Sequence, residues 1–325
     1  MAITRADVIA KIPAGRAKVP SNPTKEMLEY VSASGRLAAA ATIKDLLDIL
    51  DDESRNLFRA QGYSDAPSKD SLKNCHGKWS ESIFAVKAWN ALATINAKSD
   101  GCYVYVKLPT RDKNEEINKK KEWLSLLNEN CAKAIRNFDL DKSSPIVAKS
   151  SHDRLTLIAS NPDAVILKFS KKDIEGLELP IDPCKPISVM DVKTLDLLEE
   201  IYSYFYRKVT PSSNLVCFIS LKTSTRSDRR YQFLEEGNHV KSVLMYLYAM
   251  KADRGLTTDF FANRYFAICL SKSTGPDRKV MDSAMSAYVS APIITPLWSV
   301  DKLYDIVFVS DIPTDLDDIL KLAAI

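Results

Sequence analysis

Histidine is scarce in this chain. Three stand widely separated among 325 residues, too few to suggest a His-based zinc site. Glycine is scarce as well, at nine residues, and no GxxxxGK segment occurs, so a phosphate-cradling nucleotide loop has no support. The six cysteines (Cys75, Cys102, Cys131, Cys184, Cys217, Cys269) show no CxxC and no regular spacing. Cys217 and Cys269 sit inside apolar runs, and the set reads as reduced thiols of a cytoplasmic protein rather than disulfides or a structural metal site. The longest uncharged apolar run, near Val243–Met250, falls far short of the roughly 20 residues that span a membrane. Arg5, Asp7 and Lys11 stand where a signal peptide would need an apolar stretch, so none is expected. An excess of one charge is missing too. Lys plus Arg number 45 against 42 Asp plus Glu, a formal net charge of +3, so any nucleic-acid surface must be a local concentration of basic groups.

What is present suits a folded protein with a sizeable core. Hydrophobic residues make up 46% of the chain and charged residues 27%, which argues against disorder. There is no internal repeat and no low-complexity segment. Residues 1–150 read as mainly helical: Asn22 with Pro23 resembles an N-cap and first turn, and apolar residues recur from Met27 to Leu50. Further helices are expected near Lys78–Leu92 and Glu115–Ile135, with a short alternating strand, CYVYVKL, at Cys102–Leu108. Residues 151–325 change in texture. AVILKF (Ala164–Phe169), LVCFISLK (Leu215–Lys222), YFAICL (Tyr265–Leu270) and DIVFV (Asp305–Val309) read as buried strands. Arg230–Met250 has a helical period between two of them, and proline-rich Lys171–Pro186 reads as a loop. The expectation is an α/β core with an N-terminal helical lobe packed on it, one compact domain overall.

The chemistry gathers at the mouths of these strands. Asp163 follows Pro162 directly before AVILKF, and alternation puts Ser220 and Lys222 on one face of the next strand. Glu236 shares a helical stripe with Val240, Val243 and Leu247, and a carboxylate on an apolar stripe is costly unless a cation pairs with it. Lys222 or a metal ion would serve. Two carboxylates and a lysine meeting at strand ends are what metal-assisted phosphodiester hydrolysis needs. Hard oxygen ligands hold Mg²⁺, the ion lowers the pKa of a bound water, and the ammonium balances charge beside the phosphate.

The segment Lys222-Thr223-Ser224-Thr225-Arg226-Ser227-Asp228-Arg229-Arg230-Tyr231-Gln232 resembles the motif of type II restriction endonucleases that recognise a CCGG core, a branch of the PD-(D/E)XK nucleases. These place a metal-binding Asp after a proline, a catalytic Lys in a Ser-x-Lys strand end, and a second acidic ligand on the following helix. Glu236 stands fourteen positions after Lys222, as that pattern has it, while the 59 positions from Asp163 to Lys222 are slightly long for it. Ser220 replaces the acidic residue of most PD-(D/E)XK nucleases, as it does in this branch. Ser310–Leu316 looks like a family ending. The resemblance implies a central mixed sheet flanked by helices, Mg²⁺ held by Asp163 and Glu236, and Glu81 completing the metal site from an N-terminal helix. It further implies a bacterial cytoplasmic homodimer or homotetramer acting on double-stranded DNA.

Base reading makes physical sense beside the resemblance. Arginine can bond guanine O6 and N7 bidentately, and an acidic side chain accepts from cytosine N4. Arg226, Asp228 and Arg229 therefore form a compact reader for adjacent G and C, and Arg230, Gln232 and Lys241 are expected phosphate contacts. Pro276-Asp277 is a second Pro-Asp, but it follows the lysine and leads into Arg278 and Lys279 instead of a strand. Two other readings stay open. One is a PD-(D/E)XK nuclease of repair or junction resolution, which would not need the Arg-x-Asp-Arg reader. The other is a non-catalytic DNA-binding protein with a nuclease-like core, which would be expected to have lost Asp163, Lys222 or Glu236.

Overall fold

The computed structural model describes residues 3–12, 22–64, 67–109, 122–140, 162–224, 227–273, 275–284 and 297–324. Among the described residues four α-helices come first: α1 (Arg5–Ala10), α2 (Thr24–Ala33), α3 (Ile43–Ala60) and α4 (Lys69–Asn96). The chain then makes β1 (Gly101–Lys107), α5 (Glu129–Leu140), β2 (Ala164–Ser170), α6 (Val192–Tyr204) and β3 (Leu215–Lys222). It ends with α7 (Ser227–Ala249), β4 (Tyr265–Cys269), α8 (Gly275–Ser283), β5 (Lys302–Asp305) and α9 (Ile312–Ala323).

Among the described residues five strands form one mixed sheet in the order β1-β2-β3-β4-β5. β1–β2 and β2–β3 are antiparallel, while β3–β4 and β4–β5 are parallel. A parallel pair needs a long crossover, and α7 supplies it between β3 and β4. β4 is buried along its whole length, as its unbroken apolar run YFAIC demands. The first strand comes from before residue 150 and the other four from after it. α4 and α6 pack on β1, α9 packs on α4 and β3, and α7 packs on β4.

Register decides where the site forms. Lys107 at the end of β1 pairs with Ala164 at the start of β2, which pairs with Ile219 near the end of β3. One edge of the sheet therefore brings together the close of β1, the residue before β2 and the close of β3.

Four local expectations need correction. Pro23, not Asn22, is the N-cap of α2, and the buried Asn22 amide instead donates to Ser54 Oγ at 3.0 Å. Lys171–Pro186 opens with a short helix, Lys171–Glu175, capped by Ser170. Of the stretch Glu115–Ile135, residues 110–121 lie outside the described part, Trp123–Leu126 is a 3-10 turn, and α5 starts only at Glu129. The last strand is Lys302–Asp305, not Asp305–Val309. Residues 307–309 leave the sheet because another segment takes their backbone bonds. Ile43 N donates to Val307 O at 2.9 Å, Thr42 bridges Phe308, and Val309 N donates to Ala41 O at 3.2 Å.

Candidate active site

Asp163 stands one residue before β2, and its carbonyl accepts from Leu108 N at 3.0 Å just past β1. Its carboxylate reaches across to β3, where Oδ2 accepts from Leu221 N at 2.6 Å and from Lys222 Nζ at 3.3 Å. Lys222 Nζ lies 3.8 Å from Glu236 Oε1 on α7. One ammonium thus touches both carboxylates at the sheet edge. Phe233, buried one turn before Glu236, lies beside the same ammonium at 5.8 Å from ring centroid to Nζ.

Burial is partial here, with side-chain exposures of 22% for Asp163, 13% for Lys222 and 16% for Glu236. Burial pushes the Glu236 carboxyl above the ordinary glutamate range, against the pull of Lys222. Burial alone would lower the Lys222 ammonium, but Asp163 and Glu236 together outweigh it and the group is raised. Lys222 therefore stays a cation beside the two carboxylates.

Glu236 is held from behind. Its Oε2 accepts from Ser220 Oγ and, at 2.9 Å, from Tyr265 OH at the start of β4. Both donors are fully buried. Burial first, and then the Glu236 charge, hold the Tyr265 hydroxyl in its protonated form. Gly237 fixes the height of α7 at this point, since a Cβ there would meet the Ser299 carbonyl oxygen at 1.9 Å.

Glu81 on α4 lines the same cleft as Asp163, Lys222 and Arg229, a space of about 190 Å³. Its carboxylate lies 3.6 Å from Lys107 Nζ, and that ammonium also reaches Glu199 at 3.0 Å. Burial, and then the charge of Asp163, push the Glu81 carboxyl up. The expected ligands Asp163, Glu236 and Glu81 stand around this cleft in two groups. Among the described residues no three acidic, histidine or cysteine side chains form a ready-made metal cage. Two of the three carboxylates meet around Lys222, and the third faces Lys107. The donor chemistry nonetheless suits a divalent cation: hard oxygens crowd a half-buried cleft, where burial and mutual repulsion penalise their charge.

Of the expected reader, Arg229 lines the cleft and donates to Gln232 Oε1 at 3.0 Å. Gln232, expected at a phosphate, here orients that arginine. Arg226 lies outside the described residues, and of Asp228 only the backbone is described. Arg230 is half-buried on α7. Lys241 is a correction. It is fully buried, and its Nζ donates to Asp301 Oδ1 and Trp298 O, both at 2.6 Å. A side chain enclosed in this way cannot reach DNA. It anchors Asp301, whose other oxygen accepts from the backbone of Arg264 and Tyr265 at 2.8 Å each.

Sequence reasoning missed Tyr265 and Lys107. Nothing local marks Tyr265, the first residue of an apolar strand, as a partner of a helix carboxylate. Lys107 did carry a signal, as the one charge in CYVYVKL at the strand's end.

A family profile described as Cfr10I/Bse634I restriction endonuclease matches residues 10–322. The chain is 26% identical over 257 residues to the type II restriction enzyme Cfr10I of Citrobacter freundii, covering 78% of this chain and 80% of that protein. It superposes on the Bse634I restriction endonuclease with a TM-score of 0.68 at 22% identity, over 86% of each chain. A second structure, the type IIF restriction endonuclease Bse634I with cognate DNA, gives a TM-score of 0.72 at 21% identity, over 95% of this chain and 96% of that one. The expected mixed sheet flanked by helices is thus a restriction-endonuclease fold.

Proposed function

Because this chain belongs to the Cfr10I/Bse634I restriction endonuclease family, and by that homology is a site-specific deoxyribonuclease, we propose that it makes Mg²⁺-dependent staggered cuts at a short palindromic site with a CCGG-type core. The observation that carries this reading is the Lys222 ammonium in contact with both Asp163 and Glu236 at the sheet edge. Lys222 donates to the scissile phosphate and offsets the charge that grows on its oxygens as the phosphodiester is attacked. Asp163, oriented by the Leu221 N–H, and Glu236, through Oε1 on the side of Lys222, would hold the metal ion, with Glu81 completing the set. When bound, the ion supplies Lewis-acid stabilisation of a phosphoryl oxygen and a more acidic water. Cleavage leaves a 5′-phosphate and a 3′-hydroxyl, with each strand cut before the CC.

Arg226 and Arg229 read guanine and Asp228 reads cytosine, and the place of Arg229 in the cleft beside Lys222 supports their nearness to the cut. A palindromic site pairs with a twofold assembly, so the working unit is a homodimer or a dimer of dimers in the bacterial cytoplasm. Among the described residues no helix is long and apolar enough to cross a membrane. Incubating the purified protein with plasmid and Mg²⁺, then mapping the ends, tests the proposal. Discrete fragments ending before CC support it. Random degradation would favour a repair-type nuclease, and a gel shift without cleavage a silent binder.

A further inference from the structure

Five of the six cysteines are buried, and Cys184 alone is half-buried. With Cys102, the second residue of β1, it lines a cavity of about 330 Å³ that shares no residue with the wall of the nuclease cleft. Both are free thiols. The Cys102 thiol is pushed up to about 12, by burial first and then by Cys184 beside it.

One side chain brings the two cysteines together. Asn96, fully buried at the end of α4, accepts from Tyr103 N at 2.7 Å and donates to Pro183 O at 2.9 Å. The first bond goes to the peptide that follows Cys102, the second to the peptide that precedes Cys184. A single amide therefore holds both cysteine backbones. Asp182 Oδ1 accepts from Cys184 N at 2.9 Å. Just beyond, Trp89 Nε1 donates to Lys185 O at 3.2 Å, and Asn90 exchanges two bonds with Ile187 at 2.6 and 3.0 Å. Two thiols held side by side on such a frame lose little freedom in joining, which favours a disulfide.

The cavity wall selects the oxidant. Glu175, Glu178 and Asp182 line it with one ammonium, Lys171. This excess of carboxylates repels an anionic disulfide such as oxidised glutathione and leaves a small neutral peroxide free to enter.

We propose that Cys102 and Cys184 form an oxidation site, at which hydrogen peroxide converts the two thiols into a disulfide that staples β1 to the segment before α6. Cys184, the more exposed, reacts first. Its thiolate attacks one peroxide oxygen, the O–O bond breaks, and the departing hydroxide takes up the proton Cys184 gave, leaving as water beside a sulfenic acid. The Cys102 sulfur then attacks Cys184 Sγ, the S–O bond breaks, and the released hydroxide leaves with the Cys102 proton as a second water. The two thiols give up two electrons and the peroxide gains them. The inference does not depend on the nuclease reading, and its test involves no DNA.

The test treats the reduced full-length protein with hydrogen peroxide or with oxidised glutathione, quenches in acid, alkylates under denaturing conditions and maps the peptides. In the wild type, two of the six thiols should escape alkylation, and the peptides carrying Cys102 and Cys184 should be linked within one chain. Linkage should form about tenfold faster with peroxide than with the same concentration of oxidised glutathione. In Cys102→Ala the reaction should stop at the sulfenic acid of Cys184, trapped as a dimedone adduct. In Cys184→Ser every remaining thiol should stay open to alkylation. A wild type whose Cys102 and Cys184 both remain alkylatable overturns the proposal, as does linkage to another cysteine or between two chains. A dimedone adduct on Cys102 in Cys184→Ser would overturn the order of attack, and equal rates with both oxidants the choice of peroxide.

Discussion

Tyr265 and Glu236 come from different elements and meet through one hydrogen bond, the tyrosine hydroxyl donating to Oε2 at 2.9 Å. With Ser220 on the same oxygen, the carboxylate keeps Oε1 toward Lys222. We predict that Tyr265→Phe, which keeps the ring, lowers stability by only about 1 kcal/mol. Cleavage should slow by about 10–100-fold, the usual effect of losing a partner behind a metal ligand. Single-turnover rates across a Mg²⁺ series, with binding in Ca²⁺ as control, decide it. A wild-type rate at limiting Mg²⁺ would show that the hydroxyl only fills space.

Asp163→Ala, Lys222→Ala and Glu236→Ala should each abolish cleavage and leave specific binding largely intact. Several kcal/mol of transition-state stabilisation correspond to a loss of about a thousandfold or more. Plasmid digestion alongside gel-shift titration separates the two effects. A Lys222 variant that cut at near wild-type rate would remove this site from consideration.

Glu81→Ala should be milder. Glu81 faces Lys107 at 3.6 Å, apart from the pair around Lys222, so its loss weakens metal binding without emptying the site. Higher Mg²⁺, or Mn²⁺, should restore part of the rate. A deficit that stays constant across a metal titration would argue against a ligand role.

Asp228→Ala should lose specific affinity while non-specific affinity holds or rises, because a negative charge that repels phosphate goes with the base contact. Each bidentate arginine at Arg226 or Arg229 is worth about 1–3 kcal/mol of base discrimination. Competition between cognate and scrambled duplexes at fixed salt measures this. Equal loss for both duplexes would be the contrary result.

Lys241→Met should act on stability and leave the chemistry alone. The side chain is fully buried against Asp301 at 2.6 Å, and removing one partner of a buried pair costs about 3–5 kcal/mol because the other charge stays behind. Urea unfolding should show that loss, with DNA affinity per folded molecule unchanged. A stable variant with weakened DNA binding would put Lys241 at the DNA and not in the core.

The sequence by itself determined what depends on neighbours along the chain. LVCFISLK is β3 residue for residue, AVILKF falls within β2, and Arg230–Met250 lies almost entirely within α7. Period-two and period-3.6 patterns are local, so burial on a strand or a helix stripe can be read directly. The spacing of Ser220, Lys222 and Glu236 was legible for the same reason, since a strand end and the helix that follows it are covalent neighbours. Tertiary structure decided which remote partner each group met. Lys241 and Lys222 are both lysines beside apolar runs, yet the crossover from β4 to β5 puts Asp301 against one, while the antiparallel register of β2 puts Asp163 against the other. Val307–Val309 has strand composition, but its backbone bonds go to residues 41–43 because the start of α3 lies beside it. Tyr265 meets Glu236 only because the parallel register of β3 and β4 sets Phe218 opposite Tyr265, under the helix that joins the two strands. A charge or hydroxyl takes its role from the group across from it, and strand register and crossover, which no local pattern encodes, choose that group.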